Sequence, residues 1–139
     1  MSMPHRPFAI RPFIALLVCL AVATGCGPNP NSPSSITGTW AGTLVSSSLG
    51  AGSSQLTLVQ SGSSITGTFA NTFPGTPSSA TGQLTGTLNG SAFTAALTAA
   101  NGCTRTWTGT LSGRTLSGTI ATTSGCAAVE TGTFTLTLE

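Results

Sequence analysis

From Ile36 to the last residue, apolar and hydroxylated side chains alternate with a period of two. Ile36, Gly38, Trp40, Gly42 and Leu44 share one face of the first segment, and Thr37, Thr39, Ala41 and Thr43 share the other. The same split recurs with Leu56 and Leu58 against Thr57, and with Ile65, Gly67 and Phe69 against Thr66 and Thr68. It continues with Gly82, Leu84, Gly86 and Leu88 against Gln83, Thr85 and Thr87, and with Phe93, Ala95 and Leu97 against Thr94 and Thr98. The last three segments set Trp107, Gly109 and Leu111 against Thr106, Thr108 and Thr110; Leu116, Gly118 and Ile120 against Thr115 and Thr119; and Phe134, Leu136 and Leu138 against Thr133, Thr135 and Thr137. Successive side chains of a strand point to opposite faces, so this alternation predicts eight half-buried β-strands. No segment carries helical periodicity.

Turn chemistry links these strands into a meander. Gln60-Ser61-Gly62-Ser63, Leu88-Asn89-Gly90-Ser91 and Leu111-Ser112-Gly113-Arg114 share a two-residue Ser-Gly or Asn-Gly centre. Such centres suit primed hairpin turns, whose positive φ angles Gly and Asn tolerate best. The implied register puts Gly86 opposite Phe93, Gly109 opposite Leu116 and Trp107 opposite Gly118. Large side chains facing glycines suit a narrow, strongly curved interior. All three turns fall at one end, together with both chain termini. The connections over 46–54, 71–80, 99–102 and 123–129 fall at the other, and three of them are longer.

The fold class expected is all-β, an eight-stranded antiparallel up-and-down meander closed into a small barrel. A two-sheet β-sandwich has the same alternation and stays open as the alternative. A membrane-spanning barrel needs the apolar face outward, where this chain has threonine.

The first 25 residues have the layout of a secretory signal. Arg6 and Arg11 precede an apolar run over 13–23, far short of the ~20 residues a spanning helix needs. Ala23-Thr24-Gly25-Cys26 resembles the lipobox of bacterial lipoproteins. The resemblance implies cleavage before Cys26, a diacylglycerol on its sulfur, and a further acyl chain such as palmitate, or a free amine, at its nitrogen. Several acyl chains anchor durably where one binds only reversibly. Residues 26–35 then form a tether whose three prolines, without apolar neighbours, make a semi-extended spacer. Gly27 stands where an Asp would resemble an inner-membrane retention signal, which favours the outer membrane in a Gram-negative host. The expected location is therefore export and lipid anchoring to the cell membrane or outer membrane, on a periplasmic or surface face. Residues 36–139 form the β-barrel domain.

Of four cysteines, Cys19 is lost with the signal and Cys26 takes the lipid. Cys103 and Cys126 remain in an oxidising compartment and are expected to form a disulfide. Both sit at the long-loop end on adjacent strands, which agrees with the meander.

Gly38-Thr39-Trp40 on the first strand of an eight-stranded meander resembles the Gly-x-Trp opening of lipocalins and avidin-like proteins. The motif covers those three residues, and the architecture covers 36–139. Lipocalins usually pair that tryptophan with an arginine near the last strand, whereas Arg105 and Arg114 both lie upstream of it. Two tryptophans and few inward polar groups also fit poorly with avidin-like biotin binding.

Composition narrows the function. Past residue 26 there is no His, Lys, Asp, Tyr or Met, and the charged residues are Arg105, Arg114, Glu130 and Glu139. The formal net charge of +2 therefore belongs to Arg6 and Arg11, and the rest sums to zero, two Arg against two Glu. No Ser-His-Asp or Cys-His nucleophile system and no His/Cys/Asp metal cluster can be assembled, so neither an enzyme nor a cofactor or metal site is expected. No basic patch is present to neutralise phosphates, so nucleic acid is not expected as a partner.

Arg105 falls on the inward face near the long-loop mouth. Its guanidinium has two candidate partners there, Glu130 in a structural ion pair or the carboxylate of a small amphiphile whose tail runs along Trp107. Trp40 and Trp107 are candidate ligand contacts or plain core. Gln60 and Ser63 are expected to cap the turn at the opposite end. A membrane-anchored envelope protein holding a small apolar or amphiphilic ligand is the first expectation, and a surface structural or interaction module with a solid core is the alternative. Interior volume separates the two, since a connected cavity of about 300 Å³ or more favours a ligand.

Overall fold

The computed structural model describes residues 35–75 and 79–139, and in it eight strands follow one another round a closed barrel. They are β1 (Gly38–Ser46), β2 (Gly50–Ser61), β3 (Ser64–Thr72), β4 (Ser79–Asn89), β5 (Ala92–Ala99), β6 (Thr104–Ser112), β7 (Thr115–Ser124) and β8 (Thr131–Leu138). Each pairs antiparallel with its sequence neighbour. The ring closes because β1 also pairs with β8, from Trp40↔Leu138 to Ser46↔Gly132. That ladder removes the sandwich, whose two sheets would leave edges unpaired. Residues 1–25, the proposed lipid acceptor Cys26 and the tether up to residue 34 lie outside the described residues.

The faces follow the alternation. Leu56, Leu58, Ile65, Leu84, Phe93, Leu97, Leu116 and Leu136 are buried, together with Trp40, Trp107 and Phe134. Outward threonines ring the barrel, as in the row Thr87↔Thr94↔Thr108↔Thr119↔Thr133 across five strands. Eight strands enclose an interior just wide enough for side chains to fill. Glycines decide how it fills. Phe93, Gly109, Gly118 and Phe134 lie in one row across β5 to β8, so two bare backbones separate two rings. Over them Phe93 and Phe134 meet edge to face at 6.4 Å, and Trp107 stacks on Phe134 at 4.4 Å.

The tight turns lie one residue further along than the sequence suggests. The closing pairs are Ser61↔Ser64, Asn89↔Ala92 and Ser112↔Thr115, so the central residues are Gly62-Ser63, Gly90-Ser91 and Gly113-Arg114. The three glycines have φ near +60°, and no non-glycine residue has positive φ among the described residues. This is the pattern of a type II′ turn, which asks for Gly first and tolerates an ordinary residue second. The register consequently moves by two. Gly86 faces Ala95, Gly109 faces Gly118, and Trp107 faces Ile120, not the partners expected above. A shift of two preserves the face of every side chain, which is why the core survives the correction. Large residues still face glycines, at Phe69↔Gly82, Phe93↔Gly109 and Gly118↔Phe134.

One connection is shorter than expected. β1 and β2 remain paired to Ser46↔Gly50, leaving only Ser47, Ser48 and Leu49 between them. Residues 50–54 lack the large apolar side chains that mark a strand, yet their backbone completes the ladder.

Candidate functional site

Both ends of the domain polypeptide lie at the tight-turn end. Ile36 N–H donates to Gln60 Oε1 at 2.9 Å, and Gln60 Nε2 donates to the Gly62 carbonyl at 2.8 Å. Gln60 thus caps this end as expected, while Ser63 is a turn residue and exposed. Glu139 N–H donates to the Thr39 carbonyl, and Arg114 Nη2 to the Leu138 carbonyl. Trp40 is core, fully buried with its indole N–H donated to the Ile36 carbonyl at 2.8 Å.

At the other end the barrel opens into a cup of about 240 Å³. Its apolar wall includes Leu44, Leu49, Phe73, Ile120 and Trp107, and its polar wall includes Ser46, Asn71, Asn101, Arg105 and Glu130. Ser46, Arg105 and Glu130 continue the inward parity of their strands past the last large apolar residue. The cup is therefore amphipathic because the alternation runs out of apolar residues near the rim. Below it the interior positions are occupied by buried side chains, among them Leu56, Leu58, Phe93, Trp107 and Phe134.

Arg105 and Glu130 are paired. Glu130 Oε2 accepts from Arg105 Nη2 at 2.6 Å and from Nε at 2.8 Å. Its other oxygen, Oε1, accepts from the hydroxyls of Ser46 and Ser48. Burial pushes the Glu130 carboxyl up, but the Ser46 and Arg105 hydrogen bonds, the Arg105 charge and the Ser48 bond together hold it below the usual carboxylate range. The glutamate backbone, just before β8, is tied to β7 as well: its N–H donates to Thr122 Oγ1, and its carbonyl accepts from the Thr122 N–H, both at 2.9 Å. Beside this pair β7 carries a bulge between the Thr104↔Ser124 and Arg105↔Thr122 pairings. Bulges re-aim side chains at barrel rims.

Cys103 and Cys126 form a disulfide, with Cα atoms 4.4 Å apart. It ties the β5–β6 and β7–β8 connections together at the rim, and Cys103 lines the cup.

Sequence reasoning missed Asn71 and Ser54. They face each other across β2 and β3, at 5% and 3% exposure, and Asn71 Oδ1 and Ser54 Oγ have no hydrogen-bond partner among the described residues. Fully buried Trp107 likewise has an unpartnered indole N–H. The signal was present, since position 71 continues the inward parity of Ile65, Gly67 and Phe69. Placing Asn71 inside a predicted long connection hid it.

An eight-stranded antiparallel barrel of this kind is consistent with a lipocalin- or avidin-like fold. No protein-family model matches the chain, and no curated protein matches it.

Proposed function

We propose that this protein is an exported cell-envelope lipoprotein, anchored through Cys26, whose barrel is a non-catalytic binding module that takes a small ligand in the cup. The observation that carries this reading is the cup itself, where unpartnered buried polar groups adjoin an apolar wall. Native structures rarely leave such groups unpaired, and either ordered water or a ligand in the cup would complete them. The anchor fits the same geometry. The domain begins at the tight-turn end, so a tether running from Cys26 leaves the cup facing away from the membrane.

The test is native mass spectrometry of the protein extracted from its own membrane. A co-purifying small molecule is expected, together with a mass increment at Cys26 that Cys26→Ser removes. Recovery of the bare polypeptide, with no bound molecule, would sink the ligand reading.

A second reading has its own support. The interior below the cup is solid, and 240 Å³ falls short of the 300 Å³ set above for a ligand-holding barrel. On that reading the barrel is a structural or interaction module. Its uncharged threonine wall and rim loops meet the partner.

A further inference from the structure

We infer that the cup selects small uncharged ligands carrying both a hydrogen-bond donor and an acceptor, and discriminates against carboxylates. This rests on the reading of the cup as a ligand site. An inward arginine in an apolar barrel suggests an anion receptor, but the charge balance argues otherwise. The residues lining the cup include one cation and one anion, Arg105 and Glu130, and each is the other's partner. Both Glu130 oxygens are occupied, and the guanidinium is held through Nε and Nη2. An entering carboxylate would be desolvated beside Glu130 as well as Arg105, so repulsion offsets attraction and the desolvation cost stands. Among the described residues no distant charge corrects this, because Arg114 and Glu139 lie at the opposite end.

Apart from the remaining N–H groups of Arg105, whose charge Glu130 already balances, what is left unused is neutral. Asn71 Oδ1 and Ser54 Oγ are acceptors without donors, and Trp107 Nε1–H is a donor without an acceptor. Asn71 and Trp107 both line the cup, with Ser54 directly across the ladder from Asn71. A neutral amide or a hydroxylated ring complements that set. Its apolar face would lie along Leu44, Phe73 and Ile120. At about 240 Å³ the cup sits below the range of drug-sized pockets, which limits the ligand to roughly the size of one ring with one polar substituent.

Benzamide and benzoate have the same ring and nearly the same shape but differ in charge. Each is titrated into the ¹⁵N-labelled full chain in detergent micelles, following the Trp107 indole N–H and the Asn71 side-chain amide. Benzamide is expected to shift both resonances saturably and to bind about tenfold or more tightly than benzoate. Asn71→Leu is expected to keep the fold, since it removes an unpaired buried group, and to weaken benzamide about fivefold. Should Asn71→Leu not fold, Asn71→Ala serves in its place with the same expectation. Benzoate binding as tightly as benzamide would overturn the charge discrimination while leaving the cup as a ligand site. If neither probe moves the two resonances the inference falls, and the molecule recovered by native mass spectrometry still decides the broader reading. Benzamide binding unchanged in Asn71→Leu, or in Asn71→Ala where that variant replaces it, would refute the assigned acceptor group.

Discussion

Replacing Arg105 by alanine strips the buried Glu130 of two charge-assisted hydrogen bonds and its only counter-charge in the cup. Breaking a fully buried pair costs about 3–5 kcal/mol, and an exposed pair contributes at most about 1 kcal/mol. Here Glu130 is almost fully buried while Arg105 keeps 22% of its side chain exposed, which places the pair between these limits. Arg105→Ala should therefore cost about 2 kcal/mol, a fall in Tm of about 10 °C for a domain of this size. Glu130→Gln in the same background should return part of it, because an uncharged amide is cheaper to bury alone, and the double-mutant cycle isolates the coupling. The pH dependence gives a second readout. In the native protein Glu130 has a lowered pKa, so its contribution is present above the unfolded value and is lost as pH falls through the folded one. Native stability should decline only on the acid side of about pH 4.5, with a plateau to neutral pH because no histidine lies past residue 26. In Arg105→Ala two of the causes holding that pKa down are gone, so the acid slope should flatten. Circular dichroism melts between pH 3 and 8 measure both effects. A variant within about 0.5 kcal/mol of the native protein, with an unchanged acid slope, would refute the reasoning.

Four further outcomes follow from the packing. Gly118→Ala should destabilise by about 3 kcal/mol, since the added Cβ would stand 2.5 Å from Gly109 Cα and 2.8 Å from the Thr108 carbonyl carbon, backbone atoms that cannot swing aside. Gly113→Ala meets open space and strains only its φ of +57°, so urea denaturation should give a smaller loss of about 1 kcal/mol. Removing the disulfide by Cys103→Ser and Cys126→Ser frees a loop of 23 residues' separation and should lower stability by about 3 kcal/mol, with the same loss on reduction of the native protein. Trp40→Phe should cost about 1 kcal/mol more than Trp107→Phe in the same melts, because only Trp40 donates its indole N–H to a carbonyl.

Strand number, face assignment and core were legible because they depend on parity, and parity is written directly in the alternation of leucine, phenylalanine and tryptophan with threonine. The pairing of Cys103 with Cys126 was legible for a related reason, since meander order put both at one end. The tight turns were harder. Ser61-Gly62 and Gly62-Ser63 are equally good hairpin centres on composition, and the choice depends on which closing pair the whole ladder supports. The second glycine-led centre won in all three turns, moving Trp107 from Gly118 to Ile120 without moving it out of the core.

By itself the sequence determined a sparsely charged, net-neutral, threonine-walled, all-β domain, because local alternation and turn residues suffice to specify strands and their inward face. It also brought Arg105 and Glu130 to the same end, leaving two partners open for the guanidinium. Only the tertiary structure decided that β8 returns to β1, that Phe93 and Phe134 fill the interior over Gly109 and Gly118, and that Arg105 is engaged by Glu130. Closure also left Asn71, Ser54 and Trp107 with unpaired groups. Each of these depends on distances between strands far apart in the chain, and side-chain pairing of that kind is set by register and curvature, which a period of two does not encode.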